Sequence, residues 1–423
     1  MGSSPLPASL LPDSAVLTDT DTLVGGVSLR DLAAQFGTPL FVYDEATLRD
    51  RIAQAVSVFD DGVAFASKSF LCGAIARLVH ESGMCIDVST GGEFDIVVRS
   101  GVAPSRIIVH GNNKSHEEIQ RAVSLGVHRL IVDNFQEIER LRSIVSPKEP
   151  LDVLVRVTPG VEAHTHEFVM TGHEDTKFGL SIATGDARKA ISLLKEIPGV
   201  SVKGVHAHIG SQILDFAGFR QELEVLANFT KDDDFEEICV GGGLGVAYVE
   251  GESAPSITEW GTAIRQAARE AGIPASTKIT AEPGRSIVAQ AGLTLYTVGA
   301  VKPVTQRTYV AVDGGMSDNP RPVLYGSGYE AFDVTRPLEP RPQSVRIVGK
   351  HCESGDVLVD EAFLPAETGV GSIICTPVTG AYGYSMASNY NRVPRPAVVF
   401  VANGVAREVL RRETFEDLAR LEM

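Results

Sequence analysis

The chain has 423 residues, of which 43% are hydrophobic and 22% charged, and its formal net charge is −16. This composition is typical of a globular protein of about two domains, and the acidic excess excludes the basic footprint of a nucleic-acid-binding protein. No stretch approaches the roughly 18 uninterrupted apolar residues that a membrane span needs.

Eight short β-rich runs recur through the first two thirds of the chain. They are GVAFA (62–66), CIDVS (85–89), RIIVH (106–110), RLIVD (129–133), LDVLVRV (151–157), VKGVHAH (202–208), EEICV (236–240) and KITAE (278–282). Helical spacing fills most of the intervals, for example in SHEEIQRAVSLG, where Ser115 is an expected N-cap ahead of Glu118. Strands that alternate with helices predict a parallel sheet, and eight such units predict a closed (β/α)8 TIM-type barrel rather than an open doubly wound sheet.

Polar or glycine residues stand at or just after the carboxyl ends of these runs. They are Lys68, Ser89, Asp133, His208, Gly241 and Glu282. In a barrel those ends share one face, and active sites form on that face. The sequence therefore predicts the active site there.

The pattern changes after about residue 295. Strand-like runs separated by Gly and Pro then occupy 294–301, 307–315, 344–352, 354–363, 372–378 and 397–405. These runs predict a C-terminal β-sandwich or β-barrel domain, and the similar first 40 residues are expected to join it. The predicted domains are a barrel at 42–295 and a β domain made of 1–41 with 296–423.

Lys68 directly follows an apolar run in VAFASKSF (63–70). Lysine is seldom fully buried unless something pairs or reacts with it. Its side chain either reaches solvent at the strand end or supplies a Schiff-base amine, activated by desolvation or by cationic neighbours. The small residues around it leave room for a flat cofactor.

His206 and His208 are two residues apart in HAHIGSQ (206–212). On a strand both would point to the same face. A metal pair is conceivable, but no third ligand stands at a convincing spacing, so we predict no metal site. An imidazole that lies against an aromatic cofactor is the favoured interpretation, and Ser211 could bond a phosphate.

Two glycine turns follow the seventh and eighth runs, VGGGLG (240–245) and AEPGRS (281–286). Backbone N–H groups of such turns can close on an anion, and barrels often hold phosphate in these loops; the alternative is a packing or turn role. Glu282 would then point into the site, where a carboxylate can hold a pyridine nitrogen protonated. Its alternative role is a salt bridge with Arg285.

Three loops of the predicted β domain carry further candidates. HCESGDVL (351–358) places a thiol beside a carboxylate, although taken in isolation a solvated turn is the better interpretation. DGGMSDNPRPVLYG (313–326) supplies Arg321 and Tyr325, and arginine matches a carboxylate with a bidentate fork. Tyr382 stands in a loop rich in Gly, Tyr and Asn, where it could donate to a ligand.

Seven motifs occur in the order found in one enzyme family. They are RVTPGVEAHTHEFVMTGHEDTKFGL, HAHIGSQ, VGGGLG, AEPGRS, DNPRPVLYG, HCESGD and GAYGYSMASNYN. In these motifs the chain resembles the fold-type III decarboxylases that depend on pyridoxal 5'-phosphate, and most closely those that act on meso-diaminopimelate. The resemblance implies an alanine-racemase-like barrel with a β domain, pyridoxal phosphate as the cofactor, and a homodimer.

The resemblance also implies roles for residues around the cofactor. Lys68 would be covalently attached to it, His208 would lie on its ring and Glu282 would pair with the ring nitrogen. The residues implied at its phosphate are Ser211, Gly243, Gly284 and Arg285. Tyr382 would touch both cofactor and substrate.

For the substrate, the resemblance implies a set of charged and polar groups. Arg285, Arg321 and Tyr325 would bind the far carboxylate. Glu353 would take the far amine, and Cys352 would be the proton donor. Cys352 and Glu353 would reach the site from the partner chain of the dimer.

The activity implied is decarboxylation of meso-2,6-diaminopimelate to L-lysine and CO2, the last step of lysine biosynthesis. A decarboxylase for ornithine, arginine or carboxynorspermidine is the alternative, and Arg321 and Glu353 count against it. An amino-acid racemase is disfavoured further, and a non-catalytic relative would be expected to lack Lys68 or Cys352. The lysine motif departs from the usual Y-A-V-K-A-N, with Phe70 in place of the asparagine.

The cellular compartment is inferred from the cysteines and the first residues. The five cysteines are widely spaced and form no C-x-x-C pair, which suits a reducing compartment. The start of the chain lacks the basic segment of a signal peptide. We therefore expect a cytoplasmic protein that binds a small molecule and associates with neither a membrane nor nucleic acid.

Overall fold

The computed structural model describes residues 5–161 and 176–423, and it divides the chain into two compact units. The first, called the barrel unit, consists of Arg51–Gly245 and Ala254–Ser286. The second, called the β unit, consists of Met1–Asp50, Val246–Ser253 and Ile287–Met423.

Eight parallel strands follow one another in sequential order in the described part of the barrel unit, and a ninth, Leu180–Ser181, pairs in parallel with the fifth of them off this path. The eight are Ala64–Ala66, Cys85–Val88, Ile107–Val109, Arg129–Val132, Leu151–Thr158, Val200–His206, Glu237–Cys239 and Lys278–Thr280. The first and last edges meet in a parallel bridge, in which the Ala64 amide donates to the Ala281 carbonyl over 2.9 Å and the Ala281 amide to the Gly62 carbonyl over 3.1 Å. The predicted TIM-type barrel is confirmed, and each strand falls within or overlaps one of the eight predicted runs.

Helices connect the successive barrel strands. They are Gly73–Glu81, Gly91–Arg99, His116–Leu125, Phe135–Ile144, Asp186–Lys195, Ala217–Thr230 and Ile257–Glu270, with a short turn at Arg285–Val288 after the last strand. The predicted N-cap is present: Ser115 and Glu118 form a capping box, so that each side chain accepts the other residue's backbone N–H. Gly126 ends the same helix in the left-handed conformation, which glycine adopts without strain.

The interior of the barrel is filled by side chains that point inward from alternate strand positions. Those forming one buried cluster are Ala64, Cys85, Ile108, Ile131, Leu154 and Cys239. These side chains form an apolar layer inside the barrel, whereas the polar residues of the predicted site stand at the carboxyl ends of the strands.

The β unit is built on a mixed sheet of nine strands. Seven form its main path, in the order Val357–Leu364, Gln343–Val348, Thr308–Val312, Gly292–Pro303, Leu40–Asp44, Ala397–Ala402 and Val405–Leu410; Ile373–Thr376 joins Gly292–Pro303 and also pairs with Phe332–Asp333. Three short strands, Val16–Leu17, Thr22–Val24 and Val27–Ser28, make a separate sheet. The remaining helices are Leu29–Phe36, Glu45–Phe59, which crosses from this unit into the barrel unit, Arg321–Tyr325 and Phe415–Ala419. The first 40 residues therefore group with the C-terminal strands in the β unit.

The division of the chain differs by several residues from the expected boundaries of 42–295. Leu40–Asp44 pairs with Gly292–Pro303 on one side and Ala397–Ala402 on the other, so this fully buried strand belongs to the β unit. The two boundaries of the barrel unit therefore lie inside the expected range of 42–295. Backbone pairing holds Leu40–Asp44 and Gly292–Pro303 in the β sheet, and composition does not reveal such pairing. The segment Val246–Ser253 also groups with the β unit.

Among residues 5–161 and 176–423, no helix combines the length and the apolar character that would let it cross a bilayer.

Glu222 is an acidic residue that the fold buries completely, on the helix Ala217–Thr230. Within the described part of the chain, neither of its carboxylate oxygens has a hydrogen-bond partner. Burial raises the pKa of Glu222 well above its usual range, because the charged form loses its hydration. The Glu222 carboxyl ionises above a pH of about 4.5 in the unfolded chain but stays protonated to higher pH in the folded one. The free energy of unfolding therefore falls as the pH rises above about 4.5.

We therefore expect Glu222→Met to raise the free energy of unfolding by about 1–3 kcal/mol at pH 8. The gain should shrink at pH 5, since the unfolded carboxyl group is then partly protonated. Denaturation at both pH values measures it, with Glu224→Met, an exposed change on the same helix, as the control. An unchanged or lower midpoint at pH 8 would show that Glu222 has a stabilising partner.

Candidate active site

Lys68 lies in a single 3₁₀ turn, Ser67–Ser69, which directly follows the first barrel strand. The Ser69 hydroxyl closes this turn by donating to the Ala66 carbonyl over 2.8 Å. Both serines of the turn are buried, whereas Lys68 is exposed. The turn thus fixes the backbone and leaves the amine accessible at the carboxyl end of the barrel.

The charge of Lys68 acts on two buried groups, Asp87 and His208. Burial lowers the pKa of His208 well below its usual value, and the Lys68 ammonium lowers it further. Burial also raises the pKa of Asp87 well above its usual range, an effect that Glu282 strengthens and Lys68 opposes. Near neutral pH the site therefore holds a neutral His208 imidazole and, close to the Lys68 amine, a buried Asp87 carboxyl whose pKa is raised.

Glu282 is buried and bonded through both of its oxygens. His110 Nε2 lies 2.8 Å from Oε1, and His206 Nε2 lies 3.0 Å from Oε2. Although burial by itself raises the pKa of a carboxyl, the two imidazoles hold the pKa of Glu282 well below its ordinary value. The structure thus gives the site an ionised carboxylate in a dry environment.

The sequence offered no convincing third metal ligand beside His206 and His208. In the structure, His110 lies close to His206 and to Glu282. The nearest ligand atoms of His110, His206 and Glu282 all lie within 4.8 Å of one another. Both imidazoles, however, lie at hydrogen-bonding distance from the carboxylate, so the three side chains form a hydrogen-bonded network. His206 is the last residue of its strand and His208 follows it, so the two histidines differ in surroundings.

The two glycine turns pack tightly on neighbouring loops of the same barrel end. Gly243 has a φ of +117°, and a Cβ there would lie 2.6 Å from the Gly210 carbonyl oxygen. A Cβ on Gly284 would lie 2.8 Å from the Ala66 Cβ. Any side chain at Gly243 or Gly284 would clash with these neighbouring atoms, so the turns require glycine at both positions.

Ser211 and Arg285, predicted at the phosphate, are in direct contact: Arg285 Nη2 donates to Ser211 Oγ over 2.9 Å. Two other hydroxyls, Ser67 Oγ and Ser286 Oγ, are buried without a hydrogen-bond partner among the described residues. A buried hydroxyl of this kind is costly unless something completes its bonding. An amine, a neutral imidazole, a carboxylate, glycine cradles and open hydroxyls together fit a ring-bearing, phosphorylated aldehyde such as pyridoxal phosphate.

In the β unit, Arg321 is buried against aromatic rings. Its guanidinium carbon lies 4.3 Å from the centre of the Tyr248 ring and 5.5 Å from that of Tyr329, and Nη1 donates to the Tyr329 hydroxyl. No carboxylate within residues 5–161 and 176–423 makes a salt bridge with it. A buried cation of this kind is suited to an anion from outside the chain.

Two further predicted residues accompany Arg321 in this unit. Tyr325 ends the same short helix and is half-buried. Tyr382, also half-buried, has a φ of +60°, a conformation that non-glycine residues rarely adopt and that is often found at functional sites. Burial by itself lowers the pKa of Arg321, but interactions with Tyr248, Tyr329 and, least, Tyr382 raise it above its usual value.

Cys352 and Glu353 stand together in an exposed loop. Asp356 anchors that loop by accepting the amide of His351 over 2.9 Å, and the Cys352 amide donates to Asn391 Oδ1 over 3.1 Å. Glu353 accepts the Gly355 amide over 3.2 Å. The loop is therefore ordered, yet its thiol and carboxylate remain open to solvent in the single chain.

The structure thus brings the barrel residues of the predicted site to one barrel end and holds the others on ordered loops of the β unit. Sequence reasoning missed three groups at that barrel end, namely the buried Asp87 and His110 and the partly buried Arg156. Only His110 carried a usable signal, because it ends RIIVH, a strand-end position of the kind that singled out Lys68, whereas Asp87 lies inside its strand. The motif at 156–180 falls largely on residues 162–175, outside those the structure describes.

Comparison with known proteins identifies relatives over nearly the whole chain. Residues 45–289 match the family described as pyridoxal-dependent decarboxylase, pyridoxal binding domain. The diaminopimelate decarboxylases of Mycobacterium tuberculosis (strain ATCC 25618 / H37Rv) and Bacillus subtilis (strain 168) are each 44% identical to it, over 95% of this chain and 94% of theirs. The crystal structure of diaminopimelate decarboxylase from M. jannaschii in complex with L-lysine is similar with a TM-score of 0.91, at 31% identity over 97% of this chain and 98% of that one.

Proposed function

The chain belongs to the diaminopimelate decarboxylases within the pyridoxal-dependent decarboxylase family, and we propose that it converts meso-2,6-diaminopimelate to L-lysine and CO2, the last step of lysine biosynthesis. Pyridoxal 5'-phosphate is its cofactor. One observation carries the proposal: an accessible lysine, a neutral histidine and a buried ionised carboxylate share one barrel end with two turns that admit only glycine.

When bound, pyridoxal phosphate supplies the electron sink that stabilises the negative charge left on the substrate carbon as CO2 departs. Lys68 is the residue that attaches it covalently. Glu282, ionised and held by two imidazoles, keeps the proton on the ring nitrogen. His208 is the buried, neutral imidazole that would lie against the cofactor ring, since an uncharged imidazole needs no further desolvation there.

The phosphate is held by Ser211 and Arg285, which already contact each other, and by the glycine turns at Gly243 and Gly284. Backbone amides can approach an anion closely there because no Cβ intervenes. An arginine beside a hydroxyl supplies charge-assisted hydrogen bonds to phosphate oxygens.

Arg321 binds the far carboxylate of the substrate, together with Arg285 and Tyr325. The support is its burial without a carboxylate partner in the described chain, which leaves a desolvated cation for a bidentate anion. Glu353 takes the far amine, and Tyr382 touches both cofactor and substrate. A substrate with two amino-acid ends needs this pair of opposite charges.

Cys352 returns a proton to the carbon from which CO2 has left, so that one C–C bond is broken and one C–H bond is formed. We propose that Cys352 and Glu353 act in the partner's site within a homodimer. Their exposure in the single chain supports this, since a thiol and a carboxylate used by another subunit must stand on the surface. We also propose that the enzyme is cytoplasmic, because its five cysteines are free thiols and four of them are buried.

Carbon dioxide release from meso-diaminopimelate, L-lysine, L-ornithine and L-arginine tests the proposed function directly. We expect meso-diaminopimelate to be preferred by a factor of about 10³ or more in kcat/KM, because the other substrates leave the buried Arg321 unpaired. The comparison uses purified protein reconstituted with pyridoxal phosphate, and all four amino acids are assayed under the same conditions. A preference for ornithine or arginine would replace the proposal with a decarboxylase of that amino acid.

A further inference from the structure

The two histidines bonded to Glu282 are themselves deeply buried. His110 is 7% exposed and His206 is 1% exposed, and their rings lie edge to face with centroids 5.0 Å apart. They come from the third and sixth barrel strands, whereas Glu282 follows the eighth. The carboxylate is therefore held from two directions by side chains that have little freedom to move.

The chemistry of the three groups determines which atoms donate. An ionised carboxylate has only acceptors, so each imidazole donates its Nε2–H to one oxygen. Burial lowers the pKa of His206 to about 4, with Glu282 opposing the shift, and it also lowers the pKa of His110. Both rings are thus neutral at neutral pH, with the proton on Nε2 and a lone pair on Nδ1.

The Nδ1 atom of His206 fits that tautomer. It is buried and has no hydrogen-bond partner within the described residues. A metal ion would need the Nε2 lone pairs and would move each proton to Nδ1, where a metal-binding histidine normally donates to an acceptor. Because His206 has no such acceptor, the arrangement favours hydrogen bonds to Glu282 over metal ligation.

We propose that His206 and His110 are positioning residues for Glu282, and that their Nε2–H groups hold its carboxylate as the oriented anion that pairs with the cofactor's ring nitrogen. This inference rests on the proposed function. A carboxylate has about four lone-pair sites, so two remain for the ring after both imidazoles have bonded. Neither histidine needs to touch the cofactor, since each acts through Glu282.

Other charged groups also act on this carboxylate. Asp87 interacts with it electrostatically, and burial raises the pKa of Asp87, while Arg156 interacts with Glu282 as the opposite charge. Arg156 is also bound elsewhere, with Nη1 3.7 Å from Asp133 Oδ2 and its guanidinium over the Phe178 ring. The histidines are the two groups for which the structure records hydrogen bonds to the Glu282 oxygens.

The test compares binding of two ligands to the cofactor-free protein: pyridoxal phosphate and its analogue with C–H in place of the ring nitrogen. The analogue cannot pair with Glu282, so the ratio of the two dissociation constants reports that interaction alone. We expect the wild-type chain to prefer pyridoxal phosphate by about tenfold or more. Glu282→Gln should remove most of the preference.

His206→Phe keeps a planar ring but removes the donor, and should reduce the preference by about tenfold. His206→Gln places an amide N–H near the position of Nε2 and should retain most of it. A merely structural role for His206 would instead weaken binding of both ligands equally in the Phe variant. His116→Gln, an exposed change in the same unit, is the control.

The matching pair His110→Phe and His110→Gln provides the same comparison at the other oxygen, in case His206→Phe does not fold. An unchanged preference in any Phe variant that folds overturns the inference. The proposed function is judged separately, by CO2 release from meso-diaminopimelate by the wild-type enzyme. An enzyme active on that substrate with an unchanged preference in the variants would refute the inference alone.

Discussion

Replacing Lys68 with alanine is expected to abolish covalent attachment of the cofactor and to lower turnover of meso-diaminopimelate by about 10³-fold, or roughly 4 kcal/mol of barrier. The reason is that Lys68 is exposed at the barrel end, on a turn whose neighbouring serines are buried. Borohydride reduction followed by peptide mass spectrometry measures the attachment. The wild-type chain should carry the reduced cofactor on the peptide that contains residue 68.

Lys231→Ala, an exposed change in the barrel unit, serves as the control and should keep both the label and the activity. A cofactor that is still fixed by borohydride in Lys68→Ala would show that another lysine forms the link. That result would also remove the reason for assigning the barrel end as the site.

Replacing Arg321 with methionine is expected to lower kcat/KM for meso-diaminopimelate by about 10²-fold to 10⁴-fold, the usual cost of removing one partner of a buried charge pair. Arg321 is only 4% exposed and its guanidinium lies over tyrosine rings, so methionine leaves the far carboxylate of the substrate without its cation. Residual turnover of L-lysine, which lacks that carboxylate, should fall much less. The measured quantity is the ratio of the two kcat/KM values.

This ratio separates specificity from stability, because a damaged fold would lower both rates together. Arg321→Lys tests the fork geometry, since an ammonium keeps the charge but cannot bond a carboxylate through two parallel N–H groups. Arg30→Met, on an exposed arginine of the same unit, is the matched control. An unchanged ratio in Arg321→Met would mean that the far carboxylate is bound elsewhere.

Much of the fold could be predicted from local patterns in the sequence. The eight runs became the eight barrel strands, and Ser115 and Glu118 formed the expected capping box, because period, length and capping chemistry are written in consecutive residues. The boundaries between the two units depended instead on strand pairing between distant parts of the chain. The strand Leu40–Asp44 is placed by pairing with segments some 250 and 350 residues away, and such pairing leaves no local trace.

The candidate site divides in the same way. The sequence by itself determined which groups stand at strand ends and where the two glycine turns follow the last strands, because those properties follow from position along the chain. That Gly243 and Gly284 must be glycine came from their close approach to Gly210 and Ala66 in the fold. Only the tertiary structure showed that His110 and His206 meet at Glu282, that burial raises the pKa of Asp87, and that Arg321 is buried without a carboxylate partner in the described chain. These facts depend on distances between residues far apart in sequence and on the loss of water around them, and only the folded arrangement sets either one.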